Sequence, residues 1–443
     1  MMTTDQNTIM QLETQMLNRR FVLRPELHLL YDKQTGVEHR LNDTALHFIR
    51  CFFQSGSITE ASKTLSSELA INESKISLDL SRLWDRILSV DSGEPPIRQG
   101  GAPPDWLNKD LHFPLVLEIE LTKVCNWRCD FCYNVWKTSE DYPQHLPDKH
   151  LPLDRVIAIF DEAAENGAMR IRLSGGEPTM HPHFDRIVLE AGRRGFRTEL
   201  FTNGSRMTEE RTRLLSDCGV RTMLVSIHGT QATHDKLTIR KGAYHKALNA
   251  MELAVNLGIE VVAEMLLCVD NMAEIEETVR AVYARGVRRM AFMPYVPYGL
   301  DDSRPRVSPQ ELPAILDRAR SVSELMSFGV PCAPRHCLSD DPVAISEPSV
   351  IELTNHCGAG ILWASVSFDG QLRHCPHSPV FAGKIEEGIG KVFRERIVPE
   401  VRRAIAPKNE VCNSCSQFSA CRGGCHLDRI KSYPRESDLS SKN

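Results

Sequence analysis

The chain has 443 residues, 42% hydrophobic and 25% charged, with a formal net charge of -5; this composition excludes wholesale disorder, and a prior of roughly 150 residues per domain gives about three domains. So small a net charge offers no global field for nucleic acid, and no run reaches the roughly 18 apolar residues of a membrane span. Met1-Met2-Thr3-Thr4-Asp5-Gln6 lacks a basic stretch followed by an apolar one, so the expectation is a soluble, cytoplasmic protein with no nucleic-acid and no membrane partner.

Residues 20–91 read as a first compact unit. Phe21-Val22-Leu23 and Leu27-His28-Leu29-Leu30-Tyr31 are short apolar segments, Lys33-Gln34-Thr35-Gly36 offers a turn, and Val37-Glu38-His39-Arg40-Leu41 alternates as a half-buried strand does. Three helices are expected next. The first opens at Asn42-Asp43-Thr44, carries Leu46, Ile49, Phe52 and Phe53 at helical spacing and stops at Gly56. The second covers about Thr59 to Leu69, and the third runs from Glu73 to Leu88 with Ile76, Leu78, Leu80, Leu83 and Ile87. Short strands before three helices make a winged-helix-like pattern that resembles the RiPP recognition element, the peptide-chaperone domain of pyrroloquinoline quinone biosynthesis and its fused relatives. The resemblance implies capture of the leader of a ribosomally made precursor peptide. The peptide would add as a strand to the edge of Val37 to Leu41 and rest on the helix from Ile76 to Leu88. The competing readings are a DNA-binding winged helix and a structural cap. Lys75, Arg82 and Arg86 on the third helix are offset by Glu73, Asp79 and Asp85, which disfavours a phosphate-binding face.

Residues 92–112, with Ser92-Gly93-Glu94-Pro95-Pro96 and Gly100-Gly101-Ala102-Pro103-Pro104, are rich in turn formers and read as a linker. From 113 to 330 apolar runs alternate with amphipathic segments. Strands are expected at Leu115–Leu121, Met169–Leu173, Thr198–Phe201, Thr222–Ile227, Val261–Val269 and Arg289–Met293. Helices are expected at Leu153–Asn166, Phe184–Gly195, Glu209–Cys218, Tyr244–Leu257 and Ala273–Arg285. Alternation of this kind means an α/β fold with a parallel sheet and helical crossovers.

Fourteen cysteines in a chain expected in a reducing compartment point to metal ligands rather than disulfides. Cys51, Cys218 and Cys268 stand alone in apolar surroundings and read as small buried hydrophobes. Cys125, Cys129 and Cys132 follow the first of these strands. Their three-and-two spacing supplies three thiolates to one iron-sulfur cube and leaves its fourth iron open. One strand later comes Ser174-Gly175-Gly176-Glu177-Pro178, where two glycines permit close backbone approach and a carboxylate can accept from an ammonium.

The cysteine triplet with that second motif resembles the radical S-adenosylmethionine (SAM) enzymes, whose fold is a partial (β/α)6 barrel. The resemblance implies a 4Fe-4S cluster on Cys125, Cys129 and Cys132. SAM chelates the open iron through its amino and carboxylate groups, and an electron splits it into a 5'-deoxyadenosyl radical. It also implies that Ser174, Gly175, Gly176 and Glu177 hold the SAM amino group. Ser226 would contact its ribose or carboxylate, and Arg240 its carboxylate. Thr202-Asn203-Gly204 ends the third strand, and His228 stands where relatives carry Asp. His234-Asp235 belongs to the same segment as Arg240. Met293-Pro294 is either adenine-pocket wall or core. The long polar stretch after Tyr133 and Trp136, Thr138 to His150, is either a lid or an ordinary surface loop.

Residues 331–443 hold eight cysteines. Cys357, Gly370, Cys375 and then Cys412-x2-Cys415-x5-Cys421-x3-Cys425 resemble the SPASM domain, which implies one or two auxiliary Fe-S clusters. By that resemblance Cys357, Cys375 and Cys425, with Cys337 or Cys332, serve one cluster, and Cys412, Cys415 and Cys421 the other. No cysteine follows Cys425, where the family usually places a last ligand. Taken alone, the final four cysteines also suit a structural zinc. Pro376 stands where sulfatase-maturing relatives carry an Asp base, which argues against formylglycine formation.

The expectation is therefore an enzyme that modifies a precursor peptide by hydrogen abstraction, forming a C-S, C-C or C-O cross-link. Its reducing partner would be of the flavodoxin or ferredoxin kind. No catalytic base is assigned. The alternative is a radical SAM enzyme of cofactor or modified-haem biosynthesis acting on a small molecule.

Overall fold

The computed structural model describes residues 19–92, 109–132, 149–295, 307, 311–330, 358–407, 410–414 and 425. The chain opens with an antiparallel sheet of β1 (Phe21–Arg24), β2 (Leu29–Asp32) and β3 (Glu38–Arg40), in the order β1-β2-β3. Three helices follow, α1 (Asp43–Ser55), α2 (Ile58–Leu69) and α3 (Glu73–Leu88). Each starts where a side chain caps it: Asn42 accepts from the Ala45 N–H, Ser57 from Glu60, and Asn72 from Ser74 and Lys75. Gly56, at φ +73°, ends α1. Trp84 on α3 meets Phe21, Phe52 and Phe53 edge-on and ties sheet to helices.

A second sheet holds ten strands in the order β10-β9-β8-β7-β6-β5-β4-β11-β12-β13. Its centre is six parallel strands: β4 (Val116–Glu120), β5 (Arg170–Ser174), β6 (Arg197–Thr202), β7 (Val220–Ser226), β8 (Glu260–Leu267) and β9 (Arg289–Pro294). The crossovers are α4 (Leu153–Glu165), α5 (Phe184–Arg193), α6 (Glu209–Asp217), α7 (Gln231–Leu237) with α8 (Ala243–Asn256), and α9 (Ile275–Tyr283). The strands lie within two residues of their expected limits. α7 was not expected. It is two turns long, and it buries only His234 and Leu237, too short a pattern for periodicity to detect.

After α10 (Leu312–Val322), β10 (Ser327–Gly329) pairs in parallel with β9. On the other flank β11 (Trp363–Val366) pairs in parallel with β4, and β12 (Gln371–Arg373) and β13 (Gly383–Lys384) continue antiparallel. The sheet thus runs past residue 330, where the sequence places a domain boundary: the start of the cysteine-rich region extends the barrel. Among the described residues no helix is long and apolar enough to cross a membrane.

Alternation sorts the strands into two faces. On β4 and β5, Leu117, Ile119, Ile171 and Leu173 are fully buried in the main apolar core. Glu118, Glu120, Arg170, Arg172 and Ser174 alternate with them and turn to the concave face. The N-terminal unit packs on this body. Val22, Leu27, Leu29 and Tyr31 join the barrel's apolar core, and the buried Arg24 donates to the Phe113 and Gly167 carbonyls, both at 3.0 Å.

Candidate active site

The triplet cysteines lie on the loop after β4, at the C-terminal ends of the parallel strands, where barrel chemistry is placed. All three are partly exposed. The loop is fastened from two sides. Arg128 and Asp130 donate their N–H groups to the carbonyls of Thr238 and Leu237 at 3.3 and 3.1 Å, at the end of α7. Trp127, 2% exposed, meets His234 edge-on, and Phe131 meets His228 likewise. Cys125 Sγ accepts from the Trp127 N–H at 3.4 Å and from Asn203 Nδ2 at 3.8 Å. Donors aimed at a sulfur from the neighbouring shell suit a thiolate that ligates a cluster, so the surroundings of Cys125 fit the group the cysteine spacing implies.

The turn after β5 presses on the same loop. A Cβ on Gly175, at φ +131°, would stand 2.5 Å from the Thr122 carbonyl oxygen, and one on Gly176 2.3 Å from that of Val124. The Gly176 and Glu177 N–H groups donate to these two carbonyls at 2.6 and 2.8 Å. Both glycines are therefore required by the approach of backbone to backbone.

Glu177 has no exposed surface. Its Oε1 accepts from Thr179 N, Thr179 Oγ1 and Thr202 Oγ1, and its Oε2 from Asn203 N at 2.8 Å. Burial pushes its carboxyl up, against the pull of these donors. Three of these donors share Oε1 and one takes Oε2, so the carboxylate is held inside the chain while Oε2 keeps a lone pair. Ser174 is likewise engaged, donating to Glu118 Oε1 at 2.8 Å.

At the next rim position Ser226, half-buried, ends β7 beside Glu264 of β8. His228 and His234 are buried and stack at 5.5 Å. His228 Nδ1 accepts from the Leu266 N–H and His234 Nδ1 from the His228 N–H. Burial holds His228 well below the usual imidazole range and His234 down to about 4, so both are neutral supports. Arg240 is exposed, three residues beyond the end of α7.

The concave face carries charges that the sequence reading did not assign. Glu199 pairs with Arg170 and Arg172; burial opposes its ionisation, but the two guanidinium groups bring it down to about 2. Glu120 pairs with Arg373 of β12, each 1% exposed. Glu264 is pushed up to about 7 by burial and then by Glu118. The available signal was charge at every second position in strands that the fold must bury.

In the cysteine-rich region Cys375 follows β12 and is 6% exposed, while Cys412 and Cys425 are partly buried. Cys332, Cys337, Cys357, Cys415 and Cys421 lie outside the described residues, as does 138–148 of the stretch read as a lid or a surface loop.

Residues 119–282 match the family model of the Radical SAM superfamily. The AdoMet-dependent heme synthase of Methanosarcina barkeri is 27% identical over 339 residues, 73% of this chain and 94% of that protein. The PqqA peptide cyclase of Methylocella silvestris is 29% identical over 192 residues, 43% of this chain and 48% of that protein. Among solved structures, Streptococcus suis SuiB bound to precursor peptide SuiA resembles this chain over 95% of its length and 98% of that chain, with a TM-score of 0.68. At 16% identity that likeness is one of fold.

Proposed function

We propose that this enzyme, whose barrel belongs to the radical SAM superfamily, modifies a ribosomally made precursor peptide and closes a cross-link within it. The N-terminal unit (20–91) would hold the leader, the barrel (113–330) would receive the segment to be changed, and 331–443 would carry the auxiliary clusters. One observation carries the reading: the fold likeness to a protein bound to a precursor peptide extends over 95% of this chain and so takes in the N-terminal unit. The identity to a peptide cyclase supports it from the barrel side.

Cys125, Cys129 and Cys132 would hold a 4Fe-4S cluster, which with SAM supplies a 5'-deoxyadenosyl radical able to take hydrogen from an unactivated carbon. Trp127 and Asn203 donate toward the Cys125 sulfur and fix its orientation. Glu177 binds the end of β6 to the turn after β5, so that the rim keeps one shape as substrate enters. The turn Ser174-Gly175-Gly176-Glu177, with Ser226 and Arg240, would position SAM. Glu264, with a proton affinity near neutrality, gives the concave face a carboxyl that can hold or release a proton at Oε. Cys375, Cys412 and Cys425, with Cys337, Cys357, Cys415 and Cys421, would hold one or two auxiliary Fe-S clusters, whose chemistry is electron transfer.

A second reading, a small-molecule enzyme of haem or cofactor biosynthesis, is favoured by the coverage of 94% of the heme synthase. One experiment separates the two. Anaerobically reconstituted protein is incubated with SAM, a reductant and each short peptide encoded beside its gene, and the peptides are weighed. Loss of two hydrogens is the expected result. Unchanged peptides together with turnover of a tetrapyrrole would establish the second reading.

A further inference from the structure

Beside the cysteine loop the surface is locally cationic. Between Lys236 and Met251 the chain carries Lys236, Arg240, Lys241 and Lys246 and no acid, in a protein of net charge -5. All four side chains are exposed, as is Arg128 within the cysteine loop. The loop and this segment form one surface, because the Arg128 and Asp130 N–H groups bond the carbonyls of Thr238 and Leu237. The nearby acids are largely engaged. Asp235 accepts from the Gly242 and Tyr244 N–H groups at 2.6 and 3.0 Å, and Asp270 meets Lys236 at 3.6 Å.

Two large apolar side chains are exposed nearby, Ile239 at 60% and Val269 at 55%, the latter next to the Asp270 that meets Lys236. Ile239 is also left-handed, at φ +51°, a backbone state that β-branched residues rarely adopt. Neither burial nor local preference accounts for an isoleucine at that position. Exposed apolar side chains among mostly cationic ones are the pattern of a transient protein interface.

We propose that this face docks a small acidic one-electron carrier protein, with Ile239 and Val269 at the centre of the contact and Arg128, Lys236, Lys241 and Lys246 around it. Complementary charge selects an acidic partner, and adjacency to Cys129 shortens the path for the electron. The proposal rests on the radical SAM reading, since only a redox group on the triplet cysteines needs that electron.

The test compares two reductants on the reconstituted holoenzyme, following 5'-deoxyadenosine. One is dithionite; the other is an acidic flavodoxin or an acidic ferredoxin, each kept reduced by its reductase. The triple variant Lys236→Glu, Lys241→Glu, Lys246→Glu is expected to lose about tenfold in carrier-driven rate at low salt and nothing with dithionite. The wild-type carrier-driven rate is expected to fall as salt rises, and that of the variant to stay flat. Ile239→Gly is expected to slow the carrier-driven reaction while raising Tm, because glycine accepts the left-handed backbone. Equal carrier-driven rates for wild type and triple variant would overturn the proposal. Absence of 5'-deoxyadenosine from wild type with dithionite would overturn the radical SAM reading beneath it.

Discussion

A buried carboxylate surrounded by four donors acts first as a clamp, and Glu177 is placed between the two strand ends that frame the site. Glu177→Ala leaves the Asn203 and Thr179 N–H groups and the Thr202 hydroxyl without their acceptor. It is expected to cost about 3 kcal/mol of stability or more, read from the denaturant midpoint of the cluster-free chain. An unchanged midpoint would mean that the carboxylate is dispensable to the fold and free for a ligand. Gly176→Ala acts on the other side of the same contact. Its methyl would overlap the Val124 carbonyl, one residue before Cys125, so iron content after reconstitution is expected to fall severalfold while the far-UV spectrum persists. At this scale the sequence made the motif legible but not its work. The close backbone approach at the glycine pair was hidden because no local pattern tells which backbone will fill the missing Cβ space. Arg170, Arg172 and Glu199 were hidden for a related reason: their partners sit on neighbouring strands, and register cannot be read from one strand alone.

Elements carry the next level of constraint, and the short helix α7 anchors the cysteine loop. Its last carbonyls receive the loop's N–H groups, and its buried His234 meets Trp127. The six parallel strands were legible because each is an apolar run between turn formers; α7 was not, since seven mostly polar residues show no face. The histidine pair gives this region a pH dependence whose sign is fixed. An unfolded imidazole titrates at about 6.5, whereas burial holds His234 at about 4 and His228 well below its usual range. Above about pH 6.5 both states are neutral and the pair costs nothing. Below it the unfolded chain binds protons that the native chain refuses. Stability is therefore expected to fall between about pH 6.5 and about pH 4, by about 3 kcal/mol for His234 alone. Denaturant unfolding at stepped pH checks this, with His234→Asn as the control, since its Oδ1 can still accept from the His228 N–H. The variant is expected to have the shallower slope; parallel slopes would place the titrating groups elsewhere.

Across the whole molecule, the N-terminal sheet is shared between two cores. One face packs Phe21, Leu30 and Leu41 against Ile49 and Ile87 of its own helices; the other sends Val22, Leu27, Leu29 and Tyr31 into the barrel's core. Arg24, 1% exposed, closes the joint by donating to carbonyls 89 and 143 residues away. Such a cation reads in sequence as a surface charge between a strand and a turn, so the unit was legible and its docking was not. If this unit holds the leader, as proposed, the leader would be fixed relative to the barrel mouth, which a flexibly tethered domain would not achieve. Arg24→Ala should uncouple the two. It leaves the Phe113 carbonyl buried without its donor, at a cost of about 1–3 kcal/mol. Calorimetry is then expected to split one unfolding transition into two, the earlier belonging to residues 20–91. SAM cleavage is expected to continue in the variant while modification of the precursor peptide falls about tenfold, the loss expected when a tether replaces a fixed geometry. Equal peptide turnover by variant and wild type would mean that the leader is held elsewhere, and that the joint at Arg24 serves stability alone.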